Sequence, residues 1–273
     1  MKAMVFAAGL GTRLRPLTDD RPKALVNLAG RTLLDITLAR LRAFGVREVI
    51  VNVHHFADQV VAYLAANQNF GMRIEVSREE VLLDTGGGLK KAAWFFLESG
   101  ENSDEPFLIH NVDVLSTIDL ARMAQFHAQR NALATLAVAE RSTSRPLLFS
   151  ARGQLLGRAA ANENLSASRY LRSHDSHIAA GGADAASTAG QETGGSSLEA
   201  LAFAGIHVVS PRIFAKLDEE GIFSIIDAYV RLAERGEAVL GFRVDGAFWR
   251  DLGRPDDLIA AERDVTDGNY PSQ

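Results

Sequence analysis

Ala3-Met4-Val5-Phe6-Ala7-Ala8-Gly9-Leu10-Gly11-Thr12-Arg13-Leu14 opens the chain, and Arg21-Pro22-Lys23 follows shortly after. The apolar run from Ala3 to Ala8 reads as a buried strand. It leads straight into Gly9 and Gly11, which lack a Cβ and so let the backbone turn sharply and approach a ligand closely. Successive N–H groups in such a turn can form an anion-binding concavity. Thr12 adds a hydroxyl donor and Arg13 a planar fork of donors suited to phosphate oxygens. Lys23 adds a compact charge on a flexible stem. Small residues, a donor loop and two cations together describe a site for a polyphosphate.

Two familiar phosphate motifs do not fit. The third glycine of the dinucleotide-binding fingerprint would fall at Leu14, and Pro16 follows, so the helix which that motif requires is not expected here. No Gly-Lys-Ser/Thr is present for a P-loop. A solvated basic loop would also account for Arg13, Arg15, Arg21 and Lys23 without any function.

Outward from this loop, strands and helices alternate. Arg31 to Phe44 is expected to be helical, with Leu34, Leu38 and Leu41 on one stripe and Gly45 ending it. Glu48 to Val53 reads as a parallel strand covered on both faces. Ala57 to Ala66 reads as a helix, Met72 to Val76 as a strand, Gly86 to Leu97 as a helix and Phe107 to His110 as a strand. Thr117 is the expected cap of the next helix. The pattern predicts an α/β fold: a Rossmann-like, doubly wound, mostly parallel sheet whose ligands sit beyond the carboxyl ends of its strands. After Asn131 the pattern changes, and Leu133 to Ala139, Pro146 to Phe149 and Gln154 to Leu156 read as strands without intervening helices. His177 to Ser197 is too poor in large apolar residues to offset its ordering entropy. Leu201 to Val209 is a strand, Phe223 to Glu234 a helix, Val239 to Val244 a strand, and Arg254-Pro255 opens a last helix. Trp94, Phe95 and Phe96 are assigned to the core.

Ala7-Ala8-Gly9-Leu10-Gly11-Thr12-Arg13-Leu14-Arg15-Pro16-Leu17-Thr18, followed by Pro22-Lys23-Ala24-Leu25, resembles the signature of the sugar-1-phosphate nucleotidylyltransferases. The resemblance implies an NTP lying over Ala8, Gly9, Gly11 and Thr12, with Arg13 on the leaving pyrophosphate and Lys23 on the phosphates. It places Thr85, Gly86 and Gly87, in Leu83-Asp84-Thr85-Gly86-Gly87-Gly88, against the base and ribose; a simple tight turn is the alternative. Asp113, in Asn111-Val112-Asp113, corresponds to the family's metal aspartate, and Asp251, in Trp249-Arg250-Asp251-Leu252-Gly253, to its second carboxylate. Two converging carboxylates suit Mg²⁺; taken alone, Asp251 would be read as a salt bridge to Arg250 or Arg254. Asn111 corresponds to a residue bonding the sugar phosphate partner, and Gly205 to a position where backbone meets the sugar. On this reading Arg13, Lys23 and Asp113 are catalytic. Residues 1–273 form a single nucleotidyltransferase domain, with a nucleotide-binding part (1–131) and a smaller β-rich sugar-phosphate part (132–262) that carries a mobile insertion at about 173–198.

Two departures bear on the sugar. Many family members have Gly-Asp where this chain has Val112-Asp113, and many carry a Glu-Lys-Pro whose lysine holds the sugar phosphate. No lysine lies between Lys91 and Lys216, so that contact is absent or passes to an arginine such as Arg145. The pattern is closest to the short members that use N-acetylmuramate or mannose 1-phosphate, with UTP and N-acetylmuramate 1-phosphate the expected pair. Mannose-1-phosphate guanylyl transfer, glucose-1-phosphate thymidylyl transfer and a non-catalytic sugar-nucleotide sensor are the alternatives. His54-His55 invites a metal or acid–base reading, but tandem residues on an extended chain point in opposite directions.

Composition sets the outer limits. The 273 residues allow a substantial core. A net charge of −5 does not suggest a nucleic-acid partner. The chain has no cysteine, which excludes disulfides and thiolate metal sites and fits a reducing cytoplasm. No apolar run is long enough for a membrane span, and the N-terminus lacks the regions of a secretory signal.

Overall fold

The computed structural model describes residues 1–98, 104–159 and 198–270. The insertion expected at about 173–198 lies, but for its last residue, outside the described residues.

In chain order the elements begin with β1 (Ala3–Phe6), β2 (Asn27–Leu28), β3 (Arg31–Thr32), α1 (Leu33–Ala43), β4 (Glu48–Val53), α2 (Ala57–Ala66) and β5 (Arg73–Arg78). Next come α3 (Asp84–Lys91), α4 (Ala93–Leu97), β6 (Phe107–Asn111), β7 (Val114–Ser116), α5 (Leu120–Gln129) and β8 (Ala134–Ala139). The chain ends with β9 (Leu147–Phe149), β10 (Leu155–Arg158), β11 (Glu199–Val209), α6 (Ile225–Glu234), β12 (Val239–Arg243), β13 (Trp249–Asp251) and α7 (Pro255–Thr266). Single 3-10 turns at Thr12–Leu14, Lys23–Leu25, Gln68–Gly71 and Pro211–Lys216 stand between them.

β1 is buried on both faces, as a central parallel strand must be. Its side chains alternate: Ala3 and Val5 join the core under α1, α2 and α7, while Met4 and Phe6 join the core under α4 and α6. The order β5-β4-β1-β6 is parallel throughout. The chain leaves β1 toward β4 and β5, then returns to β6 on the other side. That reversal opens a crevice beyond the carboxyl ends of β1 and β6. β11 then pairs antiparallel with β6 and carries β8, β9, β10 and β12 away from the parallel half. The sheet is therefore mixed: parallel around β1, largely antiparallel beyond β11.

Several boundaries differ from the periodicity for local reasons. α1 starts at Leu33 rather than Arg31 because the Thr32 hydroxyl accepts the Asp35 N–H and ends the short β2–β3 hairpin. α5 is capped by Asp119, whose carboxylate accepts the Arg122 N–H at 2.9 Å. Thr117 does not cap it; its hydroxyl accepts the Phe248 N–H at 3.0 Å. The helix expected from Gly86 to Leu97 starts at Asp84 and divides at Ala92. Phe95 and Phe96 are core, but Trp94 is not: it is half-exposed and meets Phe95 only edge-on. Three successive residues sweep too wide an arc of a helix for all of them to face one core, so the first is left at the edge.

The β7–β13 ribbon was not legible in the sequence, since each strand is only three residues long. Its register sets Asp251 opposite Val114 and Trp249 opposite Ser116. Arg40, buried in α1, holds the far end of the ribbon by donating to the carbonyls of Ser116 and Ile118.

Candidate active site

The glycine loop is shaped by Gly11. Its φ of +64° lies in the left-handed region, and an added Cβ would stand 3.0 Å from the Thr18 methyl and 3.2 Å from Lys23. The Thr18 hydroxyl donates to the Gly11 carbonyl at 2.8 Å and folds the loop back over Lys23. Gly9 is different: an added Cβ there meets nothing within 4 Å, and the residue faces a cavity of about 390 Å³.

Lys23, only 9% exposed, donates to Oδ2 of Asp113, so the two residues expected on phosphate and on metal neutralise each other. Both line this cavity, with Ala8, Asn111 and Thr85. Asp251 reaches the same region through the ribbon. The Leu252 amide donates to the Asp113 carbonyl at 2.8 Å, which binds the two acidic segments together by main chain. Oδ1 of Asp251 is buried with no partner among the described residues. Burial, and then the neighbouring charge of Asp113, push the Asp251 carboxyl above its usual range; Lys23 and Arg13 pull the other way. The alternative of a salt bridge to Arg250 is not realised, because Arg250 bonds Asp264 at 2.8 Å instead. Arg13 is exposed. Its Nη2 and Oδ1 of Asp251 each lie 2.8 Å from where a Cβ on Gly253 would stand, so this glycine lets them approach from either side.

The sequence of the nucleotidyl transferase family matches residues 2–149 of this chain. The N-acetylmuramate α-1-phosphate uridylyltransferase of Caulobacter vibrioides is 36% identical over 95% of both chains. The chain belongs to the sugar-1-phosphate nucleotidylyltransferases. A mannose-1-phosphate guanylyltransferase of Mycobacterium tuberculosis is 27% identical over 99% of this chain and 66% of its own length. Among solved structures, a UDP-glucose pyrophosphorylase complexed with UDP-glucose superposes with a TM-score of 0.72 at 15% identity, covering 98% of each chain, which is a likeness of fold.

In this nucleotidylyltransferase the second glycine cluster is closely packed by the chain itself. A Cβ on Gly86 would stand 2.3 Å from the Phe223 ring, and one on Gly87 would stand 2.2 Å from the Gly221 carbonyl. Both amides already donate to the Phe223 carbonyl, at 2.9 and 3.3 Å. The close approach predicted for these glycines is therefore made by the chain itself, and Asp84 and Thr85, not Gly86 and Gly87, line the cavity. Asp84 adopts a φ of +57°, uncommon for a residue with a side chain. The Thr85 hydroxyl accepts the Ile225 N–H at 3.0 Å and joins α3 to α6.

Asn52, which lines the cavity, and its partner Glu79 escaped the sequence reading. Oδ1 of Asn52 accepts the Ala7 N–H at 2.8 Å, while its Nδ2 donates to Oε1 of Glu79 at 2.7 Å. Oε2 of Glu79 accepts the Leu83 N–H at 2.9 Å. Glu79 is 5% exposed, and these bonds satisfy a carboxylate that burial would otherwise penalise. The relay ties the glycine loop to the β5–α3 connection and so fixes the width of the cavity. Only a long-range pairing reveals it. The two histidines diverge as expected: His54 bonds the Glu79 carbonyl at 2.8 Å, and exposed His55 rests against Phe56.

A second cavity, of about 730 Å³, shares Asp84, Thr85 and Asn111 with the first and extends to Arg145, Arg158 and the start of α6. Arg158 is paired with Asp227 at 2.8 Å. Gly205 stands between Asn111 and β7 with φ +75°, and an added Cβ would lie 2.8 Å from Val114 and 3.0 Å from the Asn111 amide nitrogen. Val112, the departure beside Asp113, turns its side chain into the core. No helix among the described residues is long and apolar enough to cross a membrane.

Asp113 and Asp251 fit a divalent cation. Buried Oδ1 of Asp251 has no partner among the described residues, and a hard-oxygen pair beside a phosphate loop is a donor set that Mg²⁺ takes, its remaining positions filled by water and phosphate. No cluster of three or more acidic or histidine ligands exists among the described residues.

Proposed function

We propose that this enzyme transfers a uridylyl group from UTP to N-acetylmuramate 1-phosphate, releasing pyrophosphate. The support for the pair is the Caulobacter vibrioides relative, matched over nearly the full length of both chains. The observation that carries the chemistry is the ribbon that gathers Lys23, Asp113 and Asp251 at the mouth of β1 and β6.

On this reading the nucleotide occupies the first cavity, its phosphates over Ala8, Gly9, Gly11 and Thr12, and the sugar phosphate the second. They meet at Asn111 and Thr85, which both cavities share. The sugar-phosphate oxygen attacks the α-phosphorus in line, one P–O bond forms and the bond to pyrophosphate breaks. The attacking oxygen is already ionised, so no general base is needed; positioning and charge stabilisation carry the rate. Lys23 has three donors, so it can keep Asp113 and still reach the α-phosphate. Arg13, an exposed cation, neutralises the departing pyrophosphate. Asn111 donates to the sugar partner, and Arg145 is the candidate for the phosphate contact that the family gives to lysine. Asp113 and Asp251 would hold Mg²⁺, which when bound supplies charge stabilisation of the phosphoryl oxygens.

The test pairs four NTPs with N-acetylmuramate, mannose and glucose 1-phosphates and measures released pyrophosphate. UTP with N-acetylmuramate 1-phosphate should turn over fastest. Nucleotide binding without pyrophosphate from any pair would mean a sensor, and GTP with mannose 1-phosphate as the leading pair would reassign the substrates.

A further inference from the structure

Arg141 has no part in the roles above. It is half-buried just after β8, and its guanidinium carbon lies 3.5 Å from the centroid of the Trp249 ring. Nη2 donates to the carbonyl of Phe203, and the Trp249 indole N–H donates to the carbonyl of Ala204 at 2.8 Å. The stacked pair thus grips two successive carbonyls of β11. They lie where the pairing of β11 with β8 loses register, between Phe203 and His207. The next residue, Gly205, lies so near Val114 and Asn111 that a Cβ there would collide with both. Trp249 is two residues from Asp251 on the same short strand.

We propose that Arg141 is a positioning residue for nucleotidyl transfer: by stacking on Trp249 and bonding Phe203 it holds β13 against the bulge of β11, and so fixes where the Asp251 carboxylate stands. The inference rests on the reading of Asp251 as a divalent-ion ligand. β13 is three residues long and among the described residues pairs only with β7, and a two-stranded ribbon is marginal by itself. Oδ1 of Asp251 has no hydrogen bond to orient it, so the carboxylate takes its place from the strand that carries it. A guanidinium suits the clamp because it is flat, stacks on indole and sheds its hydration more readily than an ammonium. Nε of Arg141, buried and unpartnered among the described residues, shows how far the stack sinks into the fold.

The experiment titrates Mn²⁺ into the full-length chain with UTP present and reads free ion by electron paramagnetic resonance. Arg141→Met keeps the aliphatic stem and removes the charge and the planar stack. It should weaken Mn²⁺ binding about tenfold, the scale seen when a group supporting a metal ligand is lost. UTP affinity measured without metal should change less than twofold, and Arg141→Lys should recover little. In an Asp251→Asn background, Arg141→Met should have no further effect on Mn²⁺. Unchanged Mn²⁺ affinity in Arg141→Met, or equal losses in both backgrounds, would overturn the proposal. If Asp251→Asn alone leaves Mn²⁺ affinity intact, the metal reading falls and the proposal with it. Should Arg141→Met not fold, Trp249→Phe removes the indole N–H and tests the same clamp from its other half.

Discussion

The amide of Leu252 donates to the carbonyl of Asp113 at 2.8 Å. That bond extends the β7–β13 ribbon, fastens a segment near the end of the described chain to the turn after β6, and brings a second carboxylate beside the first. Two acids so close resist joint ionisation. The cost shows in Asp251, whose carboxyl is held above its usual range by burial and then by Asp113.

Asp251→Asn should therefore stabilise the metal-free protein and cripple ion binding. At neutral pH the gain should be about 1 kcal/mol, the scale of relieving a buried group without a partner. An acid whose folded pKa is raised binds its proton more readily when folded. The penalty is thus present above that pKa and disappears as pH falls through it. Denaturant melts in chelator at pH 7.5 and pH 4 check the sign: the variant's advantage should shrink at the lower pH.

Lys23→Ala should lower kcat about 10²- to 10³-fold, the cost of losing one preorganised donor to a developing charge. Lys23→Arg should rescue little, because the lysine is 9% exposed under the Gly11 turn and a guanidinium does not fit its space. Steady-state pyrophosphate release measures both. Near-normal rates in Lys23→Ala would remove it from the mechanism.

Gly9→Ala and Gly86→Ala should fail in different ways. A Cβ on Gly9 meets no protein atom within 4 Å but enters the cavity proposed for the nucleotide, so KM for the NTP should rise while the melting temperature stays put. A Cβ on Gly86 strikes the Phe223 ring at 2.3 Å, and overpacking of that kind costs about 1–3 kcal/mol. Paired thermal melts and NTP titrations separate the two. The reverse pattern would put the base against Gly86 after all.

Acid should destabilise the protein through three buried histidines. Burial pushes His110 and His127 down to about 4 and His207 down to about 3; the charges of Arg40, Arg212 and His110 respectively add to it. Unfolded, each would take a proton near 6.5. Their contribution is fully present above pH 6.5 and is lost as pH falls toward those folded values. The slope should reach about 1.4 kcal/mol per pH unit for each histidine. Urea midpoints between pH 7 and 5 should show it, and His127→Gln should flatten it by about a third. A flat profile would mean these rings are protonated or solvated in the fold.

Much of the parallel half could be read from the chain because its signals are local. β4 and α2 fall on the residues that periodicity marks, since a strand buried on both faces and an amphipathic helix each write their burial into neighbouring positions. The family signature from Ala7 to Leu25 is likewise one ungapped stretch. Trp94 escaped because helix phase, not apolarity, decides which of three adjacent aromatics is covered. The Asn52–Glu79 relay escaped because nothing near either residue announces the other.

Alone, the sequence determined the α/β class, the glycine loop with its cations and the membership of the family, all carried by contiguous residues. The tertiary structure decided what Gly86 and Gly87 pack against, that Lys23 rests on Asp113, and that the Asp251 segment is fastened beside Asp113. Each of these depends on a contact between segments far apart along the chain. A side chain's neighbours across a fold follow from how strands pair and helices pack, and no local pattern encodes that distance.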